Sequence, residues 1–442
     1  MLAEGNQAIL GRIALLFGAT FIRFTASARA TRKPMEVFGY LVPYGLEWLN
    51  LIVRWLHVIT GIAWIGASFY FVWLDNTIRP PAPGSELAAK GVSGELWAVH
   101  GGGFYNPQKY LLAPAELPKE LHWFKWEAYS TWLSGFALLT IVYYFNAQAM
   151  MIDRSVADLS SAQAIGIGLG SLVLGWIVYD LLCRSKLGQH DLAFGAVMFV
   201  FLTASAYVLN TYLSGRAAYI HVGAMIGTMM VANVLMLIIP GQRKMVAAMM
   251  AGQQPDPIHG LKAKQRSVHN NYFTLPVLFI MISNHYAMTY RHEQAWAVLA
   301  AIMAAGVLIR HFFNLRHRGR IEWRYPVAGV AILLAVAVAI APPAPKARVA
   351  PNAAVDPAAQ FAQIQAIVTA RCVSCHAAAP TQPGFASAPA GVMLHDAALI
   401  RQNAAKIYAQ SVQLKAMPIA NLTNMTDAER AQVAAWFESG AK

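Results

Sequence analysis

Eight stretches of the chain, near residues 46–74, 128–146, 162–182, 193–213, 217–239, 271–290, 293–312 and 325–341, are long and apolar. Crossing the hydrocarbon core of a bilayer takes about 17 to 25 residues as helix. Within that core each backbone N–H and C=O must be satisfied internally, and a single run of this length manages that only as a helix. The pattern therefore predicts an all-α chain whose larger part, residues 35–341, is a polytopic bundle of eight transmembrane spans. Charged residues make up 12% of the chain and hydrophobic ones 57%, about half the charged share of a typical soluble domain. The net charge of +13 is scattered through the loops and forms no single patch. That argues for a lipid bilayer, and against nucleic acid, as the partner.

The loops orient the bundle. Those after the first, third, fifth and seventh stretches carry most of the lysines and arginines, from Arg79 to Arg324, whereas those after the second, fourth and sixth carry only Arg154, Arg216 and Arg291. Positive loops stay in the cytoplasm, so an even number of spans puts the C-terminal tail outside. Residues 1–34 read as an uncertain extension. Their apolar run is broken by Arg12, and its acidic start and basic end are reversed relative to a signal peptide. The basic 23–33 stretch runs against the orientation unless it lies outside the mature chain.

Residues 342–359 are rich in alanine and proline and read as a semi-extended tether. Residues 360–442 are of ordinary polarity and form a domain too small to be comfortably stable alone. Within it, Cys372-Val373-Ser374-Cys375-His376 has the spacing that attaches c-type haem. Two thiols add to the haem vinyl groups, and the adjacent imidazole then meets the iron. A zinc site would need a second ligand pair, and the domain offers no other cysteine and only His395. The third cysteine, Cys183, stands at the end of an apolar run, as a small hydrophobe does. Phe361, Ile364 and Ile367 give the segment before the motif a helical period. Met417, followed by Pro418 in the loop from Lys415 to Thr426, is preferred to Met393 and Met425 as the second axial ligand. The predicted metal ligands are thus His376 and Met417. Thr426 and Glu429 form a capping box that opens a last helix with Val433, Trp436 and Phe437 inward. Two terminal helices around a methionine loop predict a cytochrome c domain. Haem attachment of this type needs an oxidising compartment, which agrees with the loop charges.

Polar groups inside the spans are the remaining signal, because intramembrane histidine is costly and is read by default as functional. His57, His221 and His285 fall in the outer half, and His122, His269 and His311 at or near the inner surface. These two layers leave two readings open: an additional haem b or metal, or histidines that simply bond backbone carbonyls and hydroxyls. Two segments are dense in polar groups, Arg266 to Pro276 continuing to Ser283-Asn284-His285, and His122 to Glu127 preceded by Gly101-Gly102-Gly103. The second is either an interfacial aromatic belt or the border of a site where Lys125 and Glu127 handle protons.

Arg54-Trp-Leu-His57-Val-Ile-Thr-Gly61-Ile-Ala-Trp64-Ile-Gly66, His269-Asn-Asn-Tyr-Phe-Thr-Leu-Pro and Ser283-Asn284-His285-Tyr286 closely resemble the bacterial membrane-bound urate hydroxylases, or cytochrome c urate oxidases. The likeness runs from about Tyr44 to the C-terminus. It implies an eight-helix urate oxidase domain fused to a cytochrome c, set in the bacterial inner membrane with the haem domain in the periplasm. It also implies oxidation of urate to 5-hydroxyisourate, with electrons passed to the haem. From there they go to a respiratory-chain acceptor, either a soluble cytochrome c or a terminal oxidase. The first motif also looks like membrane proteins in which such a histidine binds haem b, which bears on His57. The resemblance assigns no catalytic residue. From the residues themselves the candidates are His269, Asn270, Asn271, His285, His57, Lys125 and Glu127. A histidine suits the base, and Asn270, Asn271, Arg54 or Lys125 suits the urate anion. The rival expectation is an electron-transfer subunit of another membrane dehydrogenase or quinol oxidoreductase. Replacing Cys372 and Cys375 by alanine is expected to abolish haem-linked staining on a denaturing gel; covalent haem retained in that variant contradicts the attachment.

Overall fold

The computed structural model describes residues 34–111, 113, 114, 116–341, 356–383, 385 and 387–441. The expectations for residues 1–33 and for the tether over 342–355 lie outside the described residues. The apolar stretches form eight long helical segments: α1 (Pro34–Thr77), α2 (Trp126–Leu139, prolonged by a π-turn over Thr140–Tyr144), α3 (Ser161–Arg184), α4 (Asp191–Tyr212), α5 (Gly215–Met250, with a π-turn over Asn233–Ile238), α6 (Pro257–Ser283), α7 (Ala295–His317) and α8 (Arg324–Ala339). Five of them, α1, α3, α4, α5 and α7, are long and apolar enough to cross a membrane. The other three fall short for visible reasons. α2 runs 14 residues before its π-turn, α8 has 16, and α6 opens on a polar half that holds Lys262, Lys264 and Arg266.

α5 is the axis of the bundle. It buries 61% of its most apolar window, against 0% for α1, and α2, α3, α4 and α6 all pack on it. α1 lies at the edge against α2, and turns Trp55, 67% exposed, and Ile62, 69% exposed, outward. Large apolar side chains on an outer face are what a lipid-facing helix presents.

The structure corrects the sequence reading in three places. The chain is mainly helical but not all-helical, because the segment between α1 and α2 forms two small antiparallel sheets. β1 (Val92–Glu95) pairs with β4 (Gln108–Tyr110), and β2 (Ala98–His100) with β3 (Gly103–Tyr105). Gly101 and Gly102, both at positive φ, make the two-residue turn between β2 and β3, where side chains with a Cβ are disfavoured. Second, the stretch expected over 271–290 is helical over Pro257–Ser283 instead, and the chain turns at Asn284 into the short helix Ala287–Tyr290. Hydropathy registers only the apolar half of α6; its polar half stays helical because its polar groups find partners between helices. Third, helix α9 (Pro357–Arg371) takes in residues 357–359, assigned above to the tether, because Asp356 caps it by accepting the N–H of Ala358.

The C-terminal residues have their own apolar core, built from Phe361, Ile364, Ile367, Val368, Leu394, Ile400, Val433 and Trp436. α9 packs on the last helix, α10 (Asp427–Glu438), with the rings of Phe361 and Trp436 6.0 Å apart. The capping box at Thr426 and Glu429 is present, and Arg371 Nε reaches Glu429 Oε1 at 3.0 Å. Partial burial pushes the Glu429 carboxyl up, but the Thr426 N–H and Arg371 outweigh it and hold it below the usual carboxylate range. A depressed folded value adds stability that is complete above the unfolded value, near about 4.3, and is lost as the pH falls through the folded one. Glu429→Gln is therefore expected to lower the stability of this domain by about 1 kcal/mol at neutral pH. In urea titrations followed by tryptophan fluorescence, the gap from the parent chain should close as the pH drops below the carboxylate range.

Candidate functional site

At the C-terminal motif, Cys372 and Cys375 are free thiols at the end of α9. Burial and the neighbouring Cys375 push the Cys372 thiol up to about 12. His376 Nδ1 bonds to the Val392 carbonyl at 2.8 Å, so its proton sits there and Nε2 is the nitrogen left for a metal. The three candidate methionines differ in kind. Met425 is 4% exposed within the apolar core and Met393 is 37% exposed at the surface. Met417 is half-buried and belongs to no core cluster. Its loop is held by the buried Arg430, which donates to the carbonyl of Met417 at 2.9 Å and to that of Ser411. Two free thiols, a histidine with an oriented ring and a braced thioether form a donor set that fits a c-type haem.

A second site opens between the end of α1, the loop that precedes α2, the second half of α5 and the polar half of α6. It is a cavity of about 480 Å³ walled by Trp64, Phe71, Trp123 and Phe124, with His122, Glu127, Gln242, Ser267 and Asn270 as its polar groups. Its volume and mixed lining suit a small flat ligand. Oε2 of Glu127 is buried without a hydrogen-bond partner, an arrangement that is costly until something donates to it.

Behind this cavity lies a buried polar network. Arg266 donates to Asp180 at 2.7 Å and to Asn233 at 3.2 Å. Asn233 donates to Tyr179 and to Asn270, each at 2.8 Å, and Asn270 donates to the Met230 carbonyl at 3.0 Å. The second N–H of Asn270 is left over for the cavity. Tyr179 meets His269 Nδ1 at 2.9 Å, and Phe194 stacks on the His269 ring at 4.4 Å.

At the other end of the bundle, Ala149, Met150, Ser214, Arg216, Tyr290 and Arg291 form a seam with Ala416, Ile419 and Ala420, the residues that flank Met417. Arg216 donates to the Tyr290 hydroxyl at 2.9 Å.

A family model for the N-terminal part of urate oxidase matches residues 43–341, all eight helical segments apart from the start of α1. The chain belongs to the urate oxidase N-terminal family. No curated protein and no solved structure matches it. Membership points to urate-related oxidation and to the bundle as the part that carries it.

Within this urate oxidase bundle, the residues picked from the sequence are not all brought together. Asn270 and Glu127 share the cavity, and His122 joins them. His269 points the other way, into Tyr179 and Phe194, and Asn271 accepts from Arg310 on α7. Three consecutive helical residues point about 100° apart, so a contiguous His-Asn-Asn run cannot line one pocket. His285 lies exposed beyond the end of α6, and Lys125 lies over the Trp126 ring at 5.7 Å. His57 bonds the Thr131 carbonyl at 3.0 Å and Ser134 at 3.2 Å on α2, away from the cavity. Arg54 bonds Asn50 one turn back along α1. Among the described residues there is no group of three or more His, Cys, Asp or Glu able to hold a metal ion. Sequence reasoning passed over Tyr179, Asp180 and Asn233, although polar residues within apolar runs were the available signal.

For the haem site, Met417→Ala is expected to remove the weak sulfur-to-iron absorption band. Met393→Ala should leave that band intact. Met425→Ala should leave it too, while costing about 2 to 5 kcal/mol of domain stability for the core cavity it creates. Spectra and urea titrations of the three variants separate ligand from packing.

Proposed function

We propose that the chain oxidises urate to 5-hydroxyisourate in the 480 Å³ cavity. The observation that carries this reading is the family match over residues 43–341. Urate is flat and rich in N–H and C=O groups. The aromatic walls at Trp64, Phe71, Trp123 and Phe124 suit its ring faces. The spare N–H of Asn270, together with Ser267 and Gln242, suits its oxygens. Urate and water give 5-hydroxyisourate, two protons and two electrons, so a base must take a proton as water adds to the ring. Glu127, which lines that cavity and has a buried, unpartnered Oε2, is that base; His57, His269 and His285, the histidines picked from the sequence, point elsewhere. Aromatic side chains against the ring help to keep it in place.

Cys372 and Cys375 would attach one haem c, with His376 and Met417 at its iron; bound there, it supplies a one-electron acceptor that links the reaction to a respiratory acceptor. We further read all eight helical segments as crossing the inner membrane. Lys and Arg collect in the loops at the cavity end, which supports a cytoplasmic position for that end. The C-terminal domain, against the other end, is then periplasmic. That compartment is where CxxCH attachment takes place.

A urate-dependent reduction spectrum of the purified chain tests the reading. A chain that urate leaves oxidised, and that a quinol reduces, would be a quinol-linked electron-transfer subunit instead. Glu127→Gln is expected to lower the rate of urate oxidation by about 10² to 10⁴-fold, the usual worth of a positioned base, with a far smaller change in KM. An unchanged rate removes Glu127 from the chemistry.

A further inference from the structure

We infer that Tyr144 and His221 form a proton-coupled redox relay that carries electrons from the cavity to the seam at the opposite end of the bundle, an inference that rests on the urate reading above. The two sites are far apart. Arg216 lines the seam and Met230 the near edge of the cavity, and the helix between them rises about 21 Å at about 1.5 Å per residue. Tunnelling falls off exponentially with distance, so a gap of that size requires groups between that can hold an electron vacancy.

The bundle places such groups, Trp64, Trp132 and Tyr144, along that path, with Phe136 bridging Trp132 and Tyr144. Trp64 lines the cavity and, with Trp132, packs on the small core of Ala128, Val231, Val234 and Ile239. Trp132 stacks on Phe136 with centroids 5.3 Å apart, and Phe136 meets Tyr144 edge-on at 6.5 Å. Tyr144 lies 5.8 Å from the His221 ring, with Tyr143 at 6.3 Å from the same ring. Tyr143 and Tyr144 are neighbours in sequence, and an ordinary helix would send them about 100° apart. They reach one imidazole together because they close the π-turn Thr140–Tyr144, a local irregularity often found at functional sites.

The chemistry singles out Tyr144. A phenol gives up an electron readily only if its proton has somewhere to go. His221 Nδ1 bonds the Ala217 carbonyl at 2.8 Å, so Nδ1 carries the ring proton and Nε2 is an acceptor. The Tyr144 hydroxyl lies 3.2 Å from that Nε2. Tyr143 instead donates to the amide oxygen of Asn284 at 2.7 Å, which is no base. Gly168 makes room for the pair, since a Cβ there would fall 2.4 Å from Nε2. In the forward step Tyr144 loses one electron towards an acceptor of the haem class at Cys372 and Cys375, and its proton moves to His221 Nε2. An electron drawn from the bound purine then returns to the tyrosyl radical through Trp132, and the proton moves back. Each cycle moves one electron with no net proton transfer, and two cycles match the two-electron oxidation. With both nitrogens of His221 engaged, the bundle needs no second haem, and the full chain should contain one.

The test uses the full haem-loaded chain in detergent. Tyr144→Phe should bind urate as the parent does in equilibrium dialysis, yet reduce the haem at least tenfold more slowly and without the parent's solvent deuterium effect. Tyr207→Phe, at an exposed tyrosine outside the line, should match the parent. Independently of turnover, photo-oxidation of frozen samples with a ruthenium sensitiser should give a tyrosyl signal in the parent-minus-Tyr144→Phe electron paramagnetic resonance difference. A zero difference signal, a Tyr144→Phe chain that reduces haem at the parent rate, or a second haem per chain by pyridine haemochrome would each overturn the relay. A parent chain that urate never reduces, though its tyrosyl difference signal is present, would fail the urate reading and not the redox pair.

Discussion

A guanidinium buried in the middle of the bundle sets the register of the helices around it. Arg266 is 3% exposed, and a charge so placed is tolerable only when paired and fully hydrogen-bonded. Its partners come from two other helices, Asp180 on α3 and Asn233 on α5, and its guanidinium lies 5.1 Å above the Tyr179 ring. Asp180 is shared with Arg184, which neutralises it further. Because Asn233 passes its own hydrogen bonds to Tyr179 and Asn270, the pairing that satisfies Arg266 also fixes the side chain of Asn270 at the cavity wall. Removing one member of such a buried pair typically costs about 3 to 5 kcal/mol, since the other charge is stranded. The site and the bundle therefore depend on the same contacts.

The cavity and the seam sit at opposite ends of α5, and this separation shapes the chemistry. On the relay proposed above, electrons cross about two thirds of a bilayer core of about 30 Å, while the proton on Tyr144 moves only the length of one hydrogen bond. Protons released at the cavity then stay at that end, and only electrons travel. Coupling between Tyr144 and His221 avoids a lasting charge in the apolar interior, where an isolated ion is expensive.

Contiguity decides what was legible in the sequence. The Cys372, Cys375 and His376 cluster could be read directly because its members lie within about one turn of the chain. The eight apolar stretches gave the eight helical segments because burial in lipid acts on long runs. The cavity was only half legible: Glu127, Ser267 and Asn270 fall in the two polar-dense segments, but the walls come from several segments, and Gln242 carries no mark of its own. Reading His269, Asn270 and Asn271 as one site ignored the divergence of neighbouring side chains on a helix. The four strands over Val92–Tyr110 span three or four residues each, too short for an alternating pattern to show.

Both π-turns of the bundle fall where these functions need them. One opens at Asn233, the residue that links Arg266 to Asn270, and continues through Val234 and Ile238 on the cavity wall. The other ends at Tyr144, the partner of His221. A π-turn has poorer hydrogen-bond geometry than the α-helix around it and persists only where packing compensates. At Asn233 the compensation is the set of hydrogen bonds around Arg266. At Tyr144 it is two rings closed on one buried histidine. A residue inserted or removed in either turn would rotate everything beyond it by about 100°, and so would break at once the packing that stabilises the turn and the contact that gives it a use. That shared dependence explains why the two π-turns of the bundle lie at the inner network and at the relay.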